Sequence, residues 1–467
     1  MAPSMPILKE AGEIVLKIAE KKGLDEAEAY LVSNRVLTAR LVNNAVFESK
    51  GVHDIGIGLR TIKGNMLGFS STADLSKKSL ADLVDTTATT AKARKLSFKY
   101  SFPKPARMPK IAGIFDKKLV ELPSERAVEL AYEMVSSSLA RSKKVKDNAG
   151  VLNVVDYETL VLNTHGVSVT NMGTFFEASL SATAKSGDNI SEGSNAIAGR
   201  NLKELKPSNV GEKAAEMAID GLQSEKLRED TYTVILDNEP AQGVLANISM
   251  AISPVMARLY CPLLLDKIGK RIASPQISMF EDPLMPYGVG SEPVDEEGTP
   301  SKTQVIVDKG VLKGFVYDSF YGATAKKKTT GNAVRASFAV GVSSFPGKNY
   351  NGEPIPLPRN PYFKPGSWKR EEILEDTKHG LLIRKFHYTR VNNPTRGDFT
   401  SVLRMGLYTV KNGEVTGTVK KARLLDNLLS MLQNVDAVSD KLAVAGSWGN
   451  YAHTPVLRTK AHVAPIE

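Results

Sequence analysis

The chain has 467 residues, more than one hydrophobic core usually serves, so two or three domains are expected. Hydrophobic residues make up 42% and charged residues 24%, ordinary values for a folded protein that exclude extensive disorder. The net charge of +10 would suit a polyanionic partner, but its runs, at 92–99, 104–110, 141–146 and 326–328, lie on no nucleic-acid motif with interleaved aromatics and read as solvated faces.

From the N-terminus, Ile7, Ala11, Ile14, Val15 and Ile18 recur at helical spacing until Lys22-Gly23 stops them. The charges within that pattern argue against a signal peptide, and Gly243–Ala257 is too short and polar for a membrane span, so a cytoplasmic location is expected. Strands are predicted at Ala29–Ser33, Val36–Asn43, Ile55–Thr61 and Met66–Ser70, with a hairpin turn at Lys63-Gly64-Asn65, then a helix over Leu80–Lys92. Residues 99–113 hold three prolines and no period and read as a linker. A helix over Ser124–Arg141, strands at Thr159–Asn163, Val167–Asn171 and Phe175–Ala184, and a helix over Asn209–Leu222 form a second unit. Beyond it come strands at Tyr232–Leu236, Gln304–Val307, Leu312–Tyr317 and Leu381–Tyr388, a hairpin through Asn412-Gly413, and a helix over Ala422–Leu432. The expected fold class is α+β, with α+β units at 1–98 and 114–225, which could be one domain, followed by a large, mostly antiparallel, barrel-like domain at 229–467 with inserted helices.

Few residues suggest chemistry. Cys261 is the only cysteine, in an apolar setting, which excludes an intrachain disulfide and reads as a buried thiol. His53, His165, His379, His387, His453 and His462 are dispersed, with no pair at helical spacing. No Gly-x-Ser-x-Gly elbow, phosphate loop or dinucleotide fingerprint occurs. The run Asp295-Glu296-Glu297 reads as a turn of exposed acids.

An ordered set of small motifs carries more information. Gly56-Ile57-Gly58-Leu59-Arg60, Gly64 and Gly68-Phe69-Ser70 are followed by Ile268–Ser274, Glu281-Asp282-Pro283, Asp295–Gly298, Thr330-Gly331 with Arg335, and Gly397–Ser401. In this order they resemble the TldD/PmbA family of two-subunit metal-dependent peptidases. The resemblance implies a catalytic subunit with a His-Glu-x-x-x-His helix and a later cysteine, in which the glutamate serves a metal-bound water as general base. Here the corresponding helix reads Gly243–Ala251, with Ala246 and Ala251 near the histidine positions and Asn247 near the glutamate. The resemblance therefore implies a non-catalytic, PmbA-like (TldE-like) subunit with no metal or catalytic residue of its own. Its expected partner is a TldD-like homologue, in a heterodimer that carries a metal ion, with zinc the expectation, and acts on unfolded or extended peptides; a homodimer stays open. Thr330, Gly331, Arg335, Gly397 and Asp398 are the candidates for binding peptide or supporting that surface, with tight turns as the structural alternative. Two other readings remain: a peptidase active alone through His379, His387 and Asp398, and a regulator of a DNA-associated protein.

Overall fold

The computed structural model describes residues 4–336, 347–447 and 450–466. The first half is built from α1 (Met5–Lys21), β1 (Glu26–Val42), β2 (Ala45–Lys63), β3 (Met66–Thr72), α2 (Lys77–Ala91), α3 (Lys117–Val120), α4 (Ser124–Arg141), β4 (Val145–Asn163), β5 (Ser168–Ser186), β6 (Asn189–Gly199) and α5 (Pro207–Asp220). The strands of both N-terminal units join in one antiparallel six-stranded sheet, in the order β3-β2-β1-β4-β5-β6. The seam is the β1–β4 ladder, which runs from Glu28↔Asn163 to Leu41↔Gly150.

These strands are longer than the alternation predicts. The segments expected at Ala29–Ser33 and Val36–Asn43 are one strand, because the polar pair between them has partners: Arg35 meets Asp156 at 2.7 Å on the neighbouring strand, and Asn34 bonds the Lys348 backbone. The segments at 167–171 and 175–184 likewise fuse into β5. The polar edge strand β6 has no apolar alternation to mark it and is held in place by its ladder to β5, from Phe176↔Gly199 to Ser186↔Asn189.

Side-chain parity assigns the two faces of this sheet. Ala27, Ala29 and Leu31 of β1 and Ile57 and Leu59 of β2 pack under α1 and α2. Leu152 and Val154 of β4 and Phe176, Ala178 and Leu180 of β5 pack under α4 and α5. The opposite face carries Glu28, Tyr30, Asn34, Arg60 and Tyr157, all buried against the C-terminal domain. The 99–113 segment has no helix or strand, yet Tyr100 and Phe102 are buried and Phe102 lies 5.0 Å beneath the Arg60 guanidinium.

The second half contains a ten-stranded sheet. Its path runs Tyr388–Asn393, Asp398–Leu403, Ala422–Asn427, Leu457–Pro465, Asp230–Leu236, His379–Ile383, Leu407–Lys411, Glu414–Val419 and Ser224–Glu225, with Ala437–Val438 alongside Leu457–Pro465. Only Asp230–Leu236 with His379–Ile383 and Glu414–Val419 with Ser224–Glu225 pair in parallel among the described strands. The expected α+β class holds, with curled, half-barrel sheets. Asn412 and Gly413, with φ of 51° and 82°, form the predicted hairpin. Ala422–Leu432, expected as a helix, divides into a strand to Asn427 and a helix Leu428–Gln433, because the Asn427 side chain caps the N–H groups of Leu429 and Ser430. The segment expected as one strand at 381–388 is also divided, between His379–Ile383 and Tyr388–Asn393. Among the described residues no helix is long and apolar enough to cross a membrane.

Candidate functional site

The inner face of the N-terminal sheet holds a lattice of buried charges. Glu28 and Arg60 stand opposite each other in the β1–β2 register, and Arg60 donates to both Glu28 oxygens, at 3.0 and 2.7 Å. Arg60 also reaches Glu297 at 2.8 Å, while Arg335 from the C-terminal domain reaches Glu28 at 2.6 Å. Gly56 and Gly58 make the approach possible: a Cβ at Gly56 would lie 2.2 Å from the Tyr350 ring, and one at Gly58 would lie 2.4 Å from the Tyr350 carbonyl oxygen. The Gly-x-Gly-x-Arg string therefore encodes a docking surface.

The turn of Asp295, Glu296 and Glu297, expected to be exposed, is buried. Its acids are inserted where cations wait for them, so burial does not strand their charge. Lys348 pairs with Glu296 at 3.3 Å and with Glu292 at 3.1 Å, and Glu292 also accepts from Tyr157 and Asn171. Asp295 instead folds the turn, accepting from the N–H groups of Glu297, Thr299 and Ala333. Burial opposes the charge on Glu292, but Lys348 and Arg200 outweigh it and hold the carboxyl at about 2. Asp295 is pushed up to about 7 by burial and by Glu297, and Glu281 to about 7 by burial.

The sequence-selected candidates fall into two places. Thr330, Gly331 and Arg335 lie along this lattice: the Thr330 hydroxyl bonds the Tyr317 carbonyl and Asn332, and Gly331, with φ of 74°, abuts the Pro300 carbonyl. Arg335 is buried between Glu28 and the Glu296 backbone. Gly397 and Asp398 belong to another turn, where Asp398 accepts from Asn427 and pairs with Arg396 at 3.4 Å. Among the described residues His379, His387 and Asp398 share no hydrogen-bond or ion-pair partner: His379 is opposite Lys411, and His387 contacts Arg404 at 3.1 Å.

The helix singled out by sequence is α6 (Asn238–Ala251), whose N-cap is Asp237. One wall of a cavity of about 440 Å3 is formed by its Gln242, Leu245, Ala246, Asn247, Ser249 and Met250, and the others by Leu357–Arg359, Pro361, Tyr451 and Ala452. Ala246 and Asn247 line this cavity, but Ala251 is wholly buried in the core, because five residues turn a helix about 140° past its starting face. Asn247 donates to the Gly243 carbonyl at 2.8 Å and Ser249 to that of Leu245 at 2.8 Å, so both polar side chains turn back on their own helix. Arg359 donates to the carbonyls of Val294 and Gly331 at 2.9 and 2.7 Å and to the Ser301 hydroxyl at 2.6 Å, and its buried Nε has no partner among the described residues. Gly331 thus supports the cavity wall through Arg359, a role that spacing alone did not reveal. Burial raises the Tyr451 phenol and the Cys261 thiol, leaving each protonated. Among the described residues no three His, Cys, Asp or Glu side chains gather in a way that could hold a metal ion.

Family comparisons agree with this architecture. The models described as PmbA/TldA metallopeptidase domain 1, central domain and C-terminal domain match residues 27–97, 117–222 and 229–463. The chain is 24% identical over 451 residues to a metalloprotease TldD homolog of Buchnera aphidicola, covering 91% of this chain and 87% of that protein. It is 24% identical over 460 residues to a metalloprotease PmbA homolog of Haemophilus influenzae, covering 93% and 92%. The crystal structure of TldE from Thermococcus kodakarensis has the same fold, with a TM-score of 0.86 at 21% identity over 97% of this chain and 100% of that one. With all three domains matched in order along its length, the chain belongs to the PmbA/TldD metallopeptidase family.

Proposed function

We propose that this chain is the non-catalytic partner subunit of a PmbA/TldD-type metallopeptidase. It pairs with a homologue that holds the metal ion, zinc by the expected donor set of two histidines and a cysteine, and helps enclose unfolded or extended peptide in the cytoplasm. The observation that carries this reading is the cavity face of α6, where Gln242, Ala246, Asn247, Ser249 and Met250 offer amide, methyl, hydroxyl and thioether groups. None of these supplies a neutral imidazole for a metal or a carboxylate to take a proton from its water. Thr330, Gly331 and Arg335 serve the complex by shaping the cavity wall and the domain seam, and Gly397 and Asp398 by holding a turn of the C-terminal sheet. Peptide is held through main-chain hydrogen bonds, which tolerate any sequence.

Co-expression with a homologue bearing the two-histidine helix tests the reading. We expect a stable one-to-one complex that cleaves unfolded protein and stops when chelator is added, and no cleavage by this chain alone. Stoichiometric metal and chelator-sensitive cleavage in the isolated chain would sink the assignment, as would a chain that stays a homodimer beside that homologue.

A further inference from the structure

A second cavity, of about 530 Å3, lies between the start of β6 and the C-terminal sheet, away from α6. Strand register builds its floor. Val402 pairs with Arg423, so these two share one face, and Arg404 and Lys421, just beyond the ends of the same two strands, line the cavity with them. His387 joins the row through its N–H to the Val402 carbonyl at 3.0 Å, and Lys420 completes the rim. Like charges gathered around one concavity repel, so Arg404, Lys420, Lys421 and Arg423 together are a cost unless an anion sits among them.

The chain supplies only part of that anion. Glu192 from β6 pairs with Arg404, fixing its guanidinium beside His387. Among the described residues no hydrogen bond or ion pair engages the side chains of Lys420, Lys421 or Arg423. Four cations thus face one carboxylate around a cavity of ligand size at a domain junction. This basic cluster is assembled from separated segments around a concavity, with His387, Arg404, Lys420, Lys421 and Arg423 contributing to its lining.

We propose that this cavity binds a small phosphorylated anion. A phosphate group brings close to two negative charges and three acceptor oxygens, which suits three unpaired cations better than one carboxylate does. The neutral His387 imidazole and the Ser191 hydroxyl at the wall add hydrogen-bonding capacity for an ester oxygen.

Titration calorimetry of the full chain with pyrophosphate, at fixed ionic strength, tests this directly. We expect saturable one-to-one binding that weakens by about tenfold or more in Lys421→Gln/Arg423→Gln, since each lost charge-assisted contact counts. Lys77→Gln/Lys78→Gln, equally exposed but on α2 at the far side of the N-terminal sheet from β6, is expected to bind like the parent. Lys420→Glu, on the exposed rim, gives a second test if the double variant folds poorly, and is expected to weaken binding as well. Absence of saturable heat, equal binding by the cavity variants and the parent, or succinate binding as tightly as pyrophosphate would each overturn the proposal.

Discussion

Replacing Arg60 with methionine is the sharpest test of the buried lattice. Arg60 holds Glu28 through two hydrogen bonds and Glu297 through a third, with its side chain and theirs at 2%, 0% and 0% exposure. Methionine retains most of the apolar stem but leaves two carboxylates with fewer partners. Breaking a buried ion pair costs about 3–5 kcal/mol. Glu28 keeps Arg335, and Glu297 keeps the Ser319 N–H and hydroxyl, which places the loss near the lower end. With a urea slope of about 3 kcal/mol per M, a loss of about 3 kcal/mol lowers the midpoint by about 1 M. The assay is urea unfolding of Arg60→Met, Glu28→Gln and the double variant, followed by circular dichroism and tryptophan fluorescence. The double variant should lose less than the sum, with a coupling of about 1 kcal/mol or more. A change below about 0.5 kcal/mol for Arg60→Met, the range of ordinary surface substitutions, would refute the claim that these charges hold the two halves together.

Three further outcomes follow from single positions. Glu281 is raised from 4.5 to about 7, so its contribution to stability is complete below its unfolded value and is lost as pH rises through about 7; Glu281→Gln should flatten that loss in melting temperature between about pH 5 and pH 8. Glu292, held at about 2, acts in the opposite sense, stabilising above 4.5 and losing its contribution as pH falls toward 2, so Glu292→Gln should be most harmful at neutral pH. Gly58→Ala forces a methyl to within 2.4 Å of the Tyr350 carbonyl oxygen and should cost about 1–3 kcal/mol in denaturant unfolding, whereas Gly64→Ala, at an open turn, should not disturb the seam.

Sequence alone determined the helices at both ends of the N-terminal units, the Asn412-Gly413 hairpin and the family, because helical period, turn chemistry and motif order are local properties of the chain. It also determined that the α6 segment carries no histidine or glutamate from Gly243 to Ala251. Tertiary structure alone decided that Asp295, Glu296 and Glu297 lie inside, because whether an acid is buried depends on cations far away in the chain, here Arg60, Arg335 and Lys348. The same holds for the face of α6: Ala251 points into the core and Ala246 into the cavity because of what packs around the helix. Polar stretches such as Asn34-Arg35 read as strand breaks until the neighbouring strand and the opposite domain supply their partners, which no local pattern can display.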